Sequence, residues 1–397
     1  MKRFRPLAAF VIALLATLTL NTAAHAQMMG GLGRSDPVST ADIQDMSEFL
    51  SFTDDQRATA LDMHTAYLST FEENRDTLYQ AINAIQEEFQ QTQDMSIFEE
   101  MQKMVVEFEK TSKGAADRLF EDIQLILTEE QLENWPAFEL RSFRKRTLPT
   151  VSNGGMNISG ATTDLIDIYE QHIESDVEDD DVRESLLPLL ASYEREMDAV
   201  LHEYVEVRNE VTEDSLEIGM DWMANMDKID EIIKTYIGAA VKIRDINDRY
   251  TGRIASILSG DTRKSWENEF NVSASPSVYT DNYIDQSFNA ARELTSLTEE
   301  QRERVEELRR RYLASESSVN AKWAAALRES EENLSFSAMM QGQMQSPEVG
   351  ELRKERGDLD ARTYDELAAV LTEEQREALP AKPAANWRDR FQFNTGG

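Results

Sequence analysis

The chain of 397 residues contains no cysteine. That excludes a disulfide framework, a lipid-modified cysteine anchor, a cysteine nucleophile and any thiolate metal site. Glycine and proline are sparse, at 16 and nine, so little interrupts long helices. Only 41 basic side chains stand against 75 acidic ones, a formal charge of −34. Such a charge opposes DNA, RNA and anionic lipid surfaces, which are bound through Lys and Arg clusters. It attracts cationic proteins or divalent metals at long range, or simply solvates helix faces. Long hydrophobic runs are missing too: past the first 26 residues no stretch approaches 18 apolar residues, and no membrane span is predicted. At 41% apolar, the composition is still that of a folded chain.

What is present begins with a leader. Lys2, Arg3 and Arg5 precede an apolar run from Leu7 to Leu20, and Ala24-His25-Ala26 fits a signal-peptidase site. Residues 1–26 therefore read as a cleavable signal peptide, which places the mature chain in the periplasm or outside the cell. Loss of these three basic residues takes the formal charge from −34 to −37. Residues 27–39, with Gly30, Gly31 and Gly33, read as a flexible N-terminus.

The body is organised by a short motif. Leu-Thr-Glu-Glu-Gln stands at 127–131 and again at 371–375, Leu297 to Gln301 repeats it, and Thr53-Asp54-Asp55-Gln56 is a relaxed copy. Thr followed three residues later by Gln is a capping box, and the acids between them suit a helix N-terminus. Thr53, Gln56, Thr128, Gln131, Thr298, Gln301, Thr372 and Gln375 are thus structural-motif residues. Aligning Thr53 with Thr298 brings Tyr67 onto Tyr312, each 14 residues on, and the opening and closing motifs lie 75 and 74 residues apart. Arg118 and Arg362 stand ten residues before the closing motifs, and Trp135-Pro136 and Leu379-Pro380 seven after. A middle copy has Leu258-Ser259 in place of the motif, with Arg249, Trp266 and Tyr193 at the matching offsets; Asp179 in its acidic run stands at the helix start. Three degenerate units follow.

Within each unit the apolar period is close to a heptad. The fold class is all-α: three tandem long helical hairpins with short flanking helices. Legs of about 38 residues would span roughly 57 Å. The boundaries read as hairpin units at 40–148, 164–270 and 282–382, linkers at 149–163 and 271–281, and a C-terminal tail at 383–397. Chain reversals are expected near 93, 213 and 343, the third around Gly342, Pro347 and Gly350. Pro188 predicts a kink or a later helix start. Arg75 and Ser112 in core phase predict a seam that opens or bends midway.

Catalytic chemistry is not legible. His64, His172 and His202 lie far apart without zinc spacing, and no nucleophile elbow or phosphate-binding loop occurs. Asp176 to Asp181 lacks the glycine and terminal glutamate of a calcium loop. Met28, Met29, Met339, Met340 and Met344 suit copper thioether ligation or flexible contact. No catalytic residue, metal site or cofactor is assigned; Trp135 and Trp266 read as core anchors.

The motif copies at Leu127 to Gln131, Leu297 to Gln301 and Leu371 to Gln375, with Phe52 to Gln56 as a variant, resemble those of the Spy/CpxP family of bacterial periplasmic proteins. The resemblance implies a curved helical hairpin, usually dimeric, acting as an ATP-independent chaperone or as an envelope-stress or metal-stress protein. The family often has Pro within the motif, where this chain has Glu. On this basis the expected function is non-enzymatic binding of exported or unfolded proteins, with no nucleic acid, no membrane insertion and homodimeric assembly. Phase selects Phe71, Leu78, Phe89, Met101, Phe108, Tyr204 and Trp323 as client-binding residues, although the same phase suits a buried seam. The alternatives are a structural or adaptor coiled-coil protein of the cell envelope, or an acidic metal-responsive protein.

Overall fold

The computed structural model describes residues 37–92, 97–155, 157–218 and 224–382. The expectations for the signal peptide, Met28 and Met29, the first reversal near 93 and the tail at 383–397 lie outside the described residues. Every regular element described is helical, and no strand occurs among the described residues. In order the α-helices are α1 (Thr40–Phe49), α2 (Asp54–Thr92), α3 (Ile97–Gln124), α4 (Glu129–Thr147), α5 (Leu165–Ile168), α6 (Asp180–Ile218), α7 (Met226–Ile257), α8 (Gly260–Ala274), α9 (Pro276–Tyr279), α10 (Tyr283–Glu293), α11 (Glu299–Glu332), α12 (Phe336–Met340), α13 (Pro347–Val370) and α14 (Glu373–Arg376), with short 3-10 or π turns at Leu148–Gly155, Tyr169–Ile173 and Glu174–Asp176. The contacts divide the chain into two compact units. Unit one takes the residues up to 156 with Glu194–Ile232; unit two takes Asn157–Tyr193 with the chain from Ile233. The span 164–270, expected as one unit, is shared between them.

In unit one α2 and α3 pack along each other, with α1 and α4 at their base. Ser39 caps α1 by a reciprocal box with Asp42. Ile43, Met46, Tyr67, Phe71, Leu119, Ile123, Trp135 and Phe138 form the basal core. A second cluster of Ile85, Phe89 and Ile97 lies farther along the pair. The seam positions between carry Arg75, whose side chain is 42% exposed, and Ser112, buried with an unpartnered hydroxyl. The two polar residues separate the basal cluster from the second one along the seam.

In unit two α11 and α13 form the corresponding packed pair. Its apolar core also falls into two clusters. One gathers Ile284, Phe288, Val305, Leu308, Tyr312, Leu367 and Leu371; the other gathers Val278, Trp323, Leu327, Val349 and Leu352.

Several expectations are corrected. The polar run at 212–214 does not end α6, which continues to Ile218. Thr212 and Ser215 bond back to the carbonyls of Arg208 and Val211, a habit that seats small hydroxyl residues within a helix. Pro188 lies inside α6, which begins ahead of it at Asp180. The acidic run supplies that start, as Asp181 N–H donates to the Asp179 carboxylate at 2.9 Å. The third predicted break falls at Gly342, with φ of 72° after α12, and ends at Pro347, which opens α13; only Gly350 lies within a helix. The expected linkers are packed. Leu148–Gly155 is a 3-10 helix with Val151 buried. Ile158, Ser159, Ala161 and Thr163 are buried, as are Ala274, Ser275 and Val278 at the second site. Side-chain anchors, invisible to composition, hold the first: Asn247 Nδ2 donates to Gly160 O and Thr163 O at 2.8 and 2.9 Å. Gly160 has φ of 85° and abuts Arg244, a place where a side chain would be strained.

Candidate functional site

The motif residues are brought together in pairs. All four Thr-Gln boxes are closed both ways: Thr53, Thr128, Thr298 and Thr372 accept from the backbone N–H of Gln56, Gln131, Gln301 and Gln375. Each glutamine Oε1 takes the threonine N–H at 2.9–3.0 Å in return. The amide nitrogens do something a cap does not require. Gln56 Nε2 donates to Ile126 O at 2.7 Å and to Gln131 Oε1 at 2.8 Å. Gln131 Nε2 donates to Leu50 O, Ser51 O and Gln56 Oε1. In unit two Gln301 Nε2 donates to Val370 O and Gln375 Oε1, both at 3.0 Å, and Gln375 Nε2 donates to Ser296 O at 3.0 Å. Opening and closing motifs therefore clasp each other crosswise, each satisfying carbonyls at or just past the end of the helix that precedes its partner motif.

The three aligned tyrosines share a second task. Tyr67 OH accepts from Val38 N at 3.1 Å, Tyr193 OH from Leu165 N at 3.3 Å, and Tyr312 OH meets Asn282 Nδ2 at 3.4 Å. Each thus holds the start of the short helix preceding its long one. The hydroxyl of Tyr193 donates to Asn247 at 3.0 Å, and that of Tyr312 to Asp360 at 3.0 Å. His64 is a seam residue, buried with Nε2 at 2.8 Å from Val38 O.

A polar layer lies between the two apolar clusters of the α11–α13 pair. Arg356 is buried; Nε donates to Asp360 at 3.0 Å, Nη2 to Tyr312 OH at 3.0 Å, and the guanidinium also pairs with Asn320 and Glu316. Asn282, the cap of α10, donates to the other oxygen of Asp360 at 3.1 Å. One cation here serves Asp360 and Glu316, with Asp285 close by. Burial disfavours the Arg356 charge, but Asp360, Tyr312 and Glu316 outweigh it and hold its pKa above the ordinary value. The excess acid takes the consequence: burial, reinforced by Asp285 and Asp360 against the attraction of Arg356, pushes the Glu316 carboxyl up to about 7. Burial likewise raises Asp285 and Tyr312. Arg356 stays charged, and a carboxyl raised to about 7 takes up its proton as the pH falls below neutrality. The layer was not foreseen; its signal is charged residues at 316, 356 and 360 in core phase of an otherwise apolar seam.

The seven client-binding candidates do not form one site, although Phe71 and Phe108 share the basal cluster and Phe89 and Met101 the second one. Phe71, Phe89, Tyr204 and Trp323 are buried, and Leu78, Met101 and Phe108 are half-buried. Phe71 meets Phe108 edge-on at 5.6 Å, and Tyr204 OH donates to Thr150 O at 3.1 Å. Trp135 and Trp266 are buried, the latter donating to Thr251 O at 3.1 Å. Arg118, Arg249 and Arg362 are exposed. Exposed apolar chains include Phe49, Tyr79, Val106, Leu125, Leu187 and Met340. Unit one also has an open cleft of about 620 Å³, with Phe120, Trp135 and Phe138 in its wall and Glu121, Glu139 and His202 at its edges. Among the described residues no group of three His, Asp or Glu is arranged to hold a metal, and no helix is long and apolar enough to cross a membrane. No protein-family model matches the chain, and no curated protein or solved structure matches it either.

Proposed function

We propose that the chain is an exported, non-enzymatic protein-binding protein, built as three tandem Spy/CpxP-type hairpin units and acting as an ATP-independent periplasmic chaperone or envelope-stress protein. One observation carries the reading: the glutamine clasp occurs twice, at Gln56–Gln131 and Gln301–Gln375, with matched donors and acceptors. Two boxes 74 or 75 residues apart in sequence serve as the base of a two-legged unit in each case. The tyrosine anchors at 67, 193 and 312 supply the third unit, whose closing motif has decayed to Ser259, which caps without a side-chain bond. Client contact falls to exposed apolar chains and to the aromatic cleft of unit one, since most of the phase-selected residues pack inward. Weak apolar contact within an acidic surround keeps complexes soluble.

The inward packing of Phe71, Phe89, Tyr204 and Trp323 also favours a second reading, a structural or adaptor protein of the envelope. A light-scattering assay with a thermally unfolding client separates the two. The chaperone reading expects suppression at near-stoichiometric ratio; unchanged client aggregation overturns it and leaves the adaptor. Calorimetric titration with zinc, copper and calcium addresses the metal-responsive alternative, which a flat trace removes.

A further inference from the structure

The buried layer at Arg356 has a geometry that does more than fill space. It lies where α10, α11 and α13 meet. Glu316 and Tyr312 come from α11, with the neutral Asn320 one turn on. Arg356 and Asp360 come from α13. Asp285 lies in the first turn of α10, Asn282 caps that helix, and Asp281 precedes it. The Val278 carbonyl of α9 also faces the guanidinium. Glu316 and Asp360 thus share one guanidinium, with Asp285 close by, and α10 is tied to the pair by the Asn282 contacts to Tyr312 and Asp360. Behind that tie α10 covers apolar surface, burying Ile284, Phe288 and Ala291 against Val305, Leu308 and Tyr312.

We infer that α10 is a proton-locked strap: with one carboxyl of the layer protonated it lies closed on the α11–α13 pair, and deprotonation loosens it and uncovers the apolar face beneath. The argument is one of charge count. With a proton on Glu316, the Arg356–Asp360 pair is balanced and Asp285 retains its cap bond to Asn282 N–H at 3.0 Å. Without it, the Glu316 carboxylate joins those of Asp285 and Asp360 around the single Arg356 guanidinium, and their mutual repulsion is weakly screened by solvent. Glu316 is the carboxyl with the higher affinity for the proton, and its raised value near 7 sets the window. A raised carboxyl favours the closed state below its ordinary value and loses that contribution as pH rises through the raised one. Opening that returns Glu316 to an ordinary carboxyl becomes about tenfold more frequent between pH 6 and pH 8 by this linkage.

Hydrogen–deuterium exchange on the full chain tests it, with rates corrected for the intrinsic pH dependence of exchange. In the wild-type protein, protection of residues 283–293 should fall about tenfold from pH 6 to pH 8. In Glu316→Gln, a neutral mimic of the protonated acid, it should stay at its pH 6 level at both. An equal fall in the variant, or no fall in the wild type, overturns the strap. Should the variant not fold, carbon-detected titration of the Glu316 carboxyl in the wild type decides: a midpoint near 7 supports the lock, and one in the ordinary carboxylate range overturns it.

Discussion

Replacing Gln131 separates a helix cap from a clasp. Its Oε1 takes the Thr128 N–H at 2.9 Å, and its Nε2 reaches Leu50 O, Ser51 O and Gln56 Oε1 at 3.1–3.2 Å, with the residue 9% exposed. A lost cap alone costs about 1 kcal/mol. Gln131→Ala also strips two backbone carbonyls and the Gln56 carbonyl of their shared donor, at about 1 kcal/mol per net bond. Water reaches part of the vacated space, so we expect a loss of about 2–3 kcal/mol, or roughly 5–10 °C in Tm for a unit of this size. Gln131→Glu is the sharper probe. It keeps an oxygen for the Thr128 N–H and suits a capping box, but it sets a carboxylate against three carbonyl oxygens. At pH 7 it should cost at least as much as the alanine variant, and it should recover as the pH falls and the acid becomes a donor again. Urea titration and calorimetry at pH 7 and pH 5 measure both, with Glu130→Ala, on the exposed side of the same turn, as a control within about 0.5 kcal/mol of wild type. The reasoning fails if Gln131→Glu behaves like wild type, because then the amide nitrogen contributes nothing.

Thr128→Ala should cost roughly 1 kcal/mol, less than either Gln131 variant, as read by the same titration. Tyr193→Phe removes the partner of Leu165 N–H and of buried Asn247; a loss of about 1–3 kcal/mol is expected, with exchange protection of residues 165–173 falling first. Asp45 joins α1 to α4 through Arg141 at 3.1 Å and Lys145 at 3.2 Å. Burial opposes its charge, but the two cations prevail and hold its pKa below the ordinary carboxylate value. Its contribution is therefore present above pH ~4 and lost as the pH falls through the depressed value; wild type should lose stability below pH ~4 more steeply than Asp45→Asn in acid titrations.

How much of this was readable in advance depends on which partner each residue uses. The four boxes are legible because a cap is a local device: Thr and Gln three residues apart meet within one turn whatever the rest of the chain does. The clasp is not legible, because Glu would cap equally well and only a distant carbonyl distinguishes the amide. Gln at all four positions, with Glu freely used between, was the available signal. The same logic governs the segment 149–163. Gly, Ser and Asn in a row signify a loop by composition, yet Asn247 and Glu331 bind its backbone from 84 and 172 residues away, so a polar segment becomes interior without becoming apolar. Conversely, phase finds the aromatic residues but not their direction of use: Phe71 and Trp323 obey a heptad whether they meet a client or their own partner helix. The charged residues in that same phase are the more informative ones, since a buried ion is retained only where other groups hold it. Ser112 in unit one occupies the seam phase that Arg356 occupies in unit two, and it has no partner. At the matching seam position the α2–α3 pair thus leaves an unpartnered hydroxyl, whereas the α11–α13 pair holds a guanidinium by Asp360, Tyr312 and Glu316, and it is on this second arrangement that the inferred strap of α10 depends.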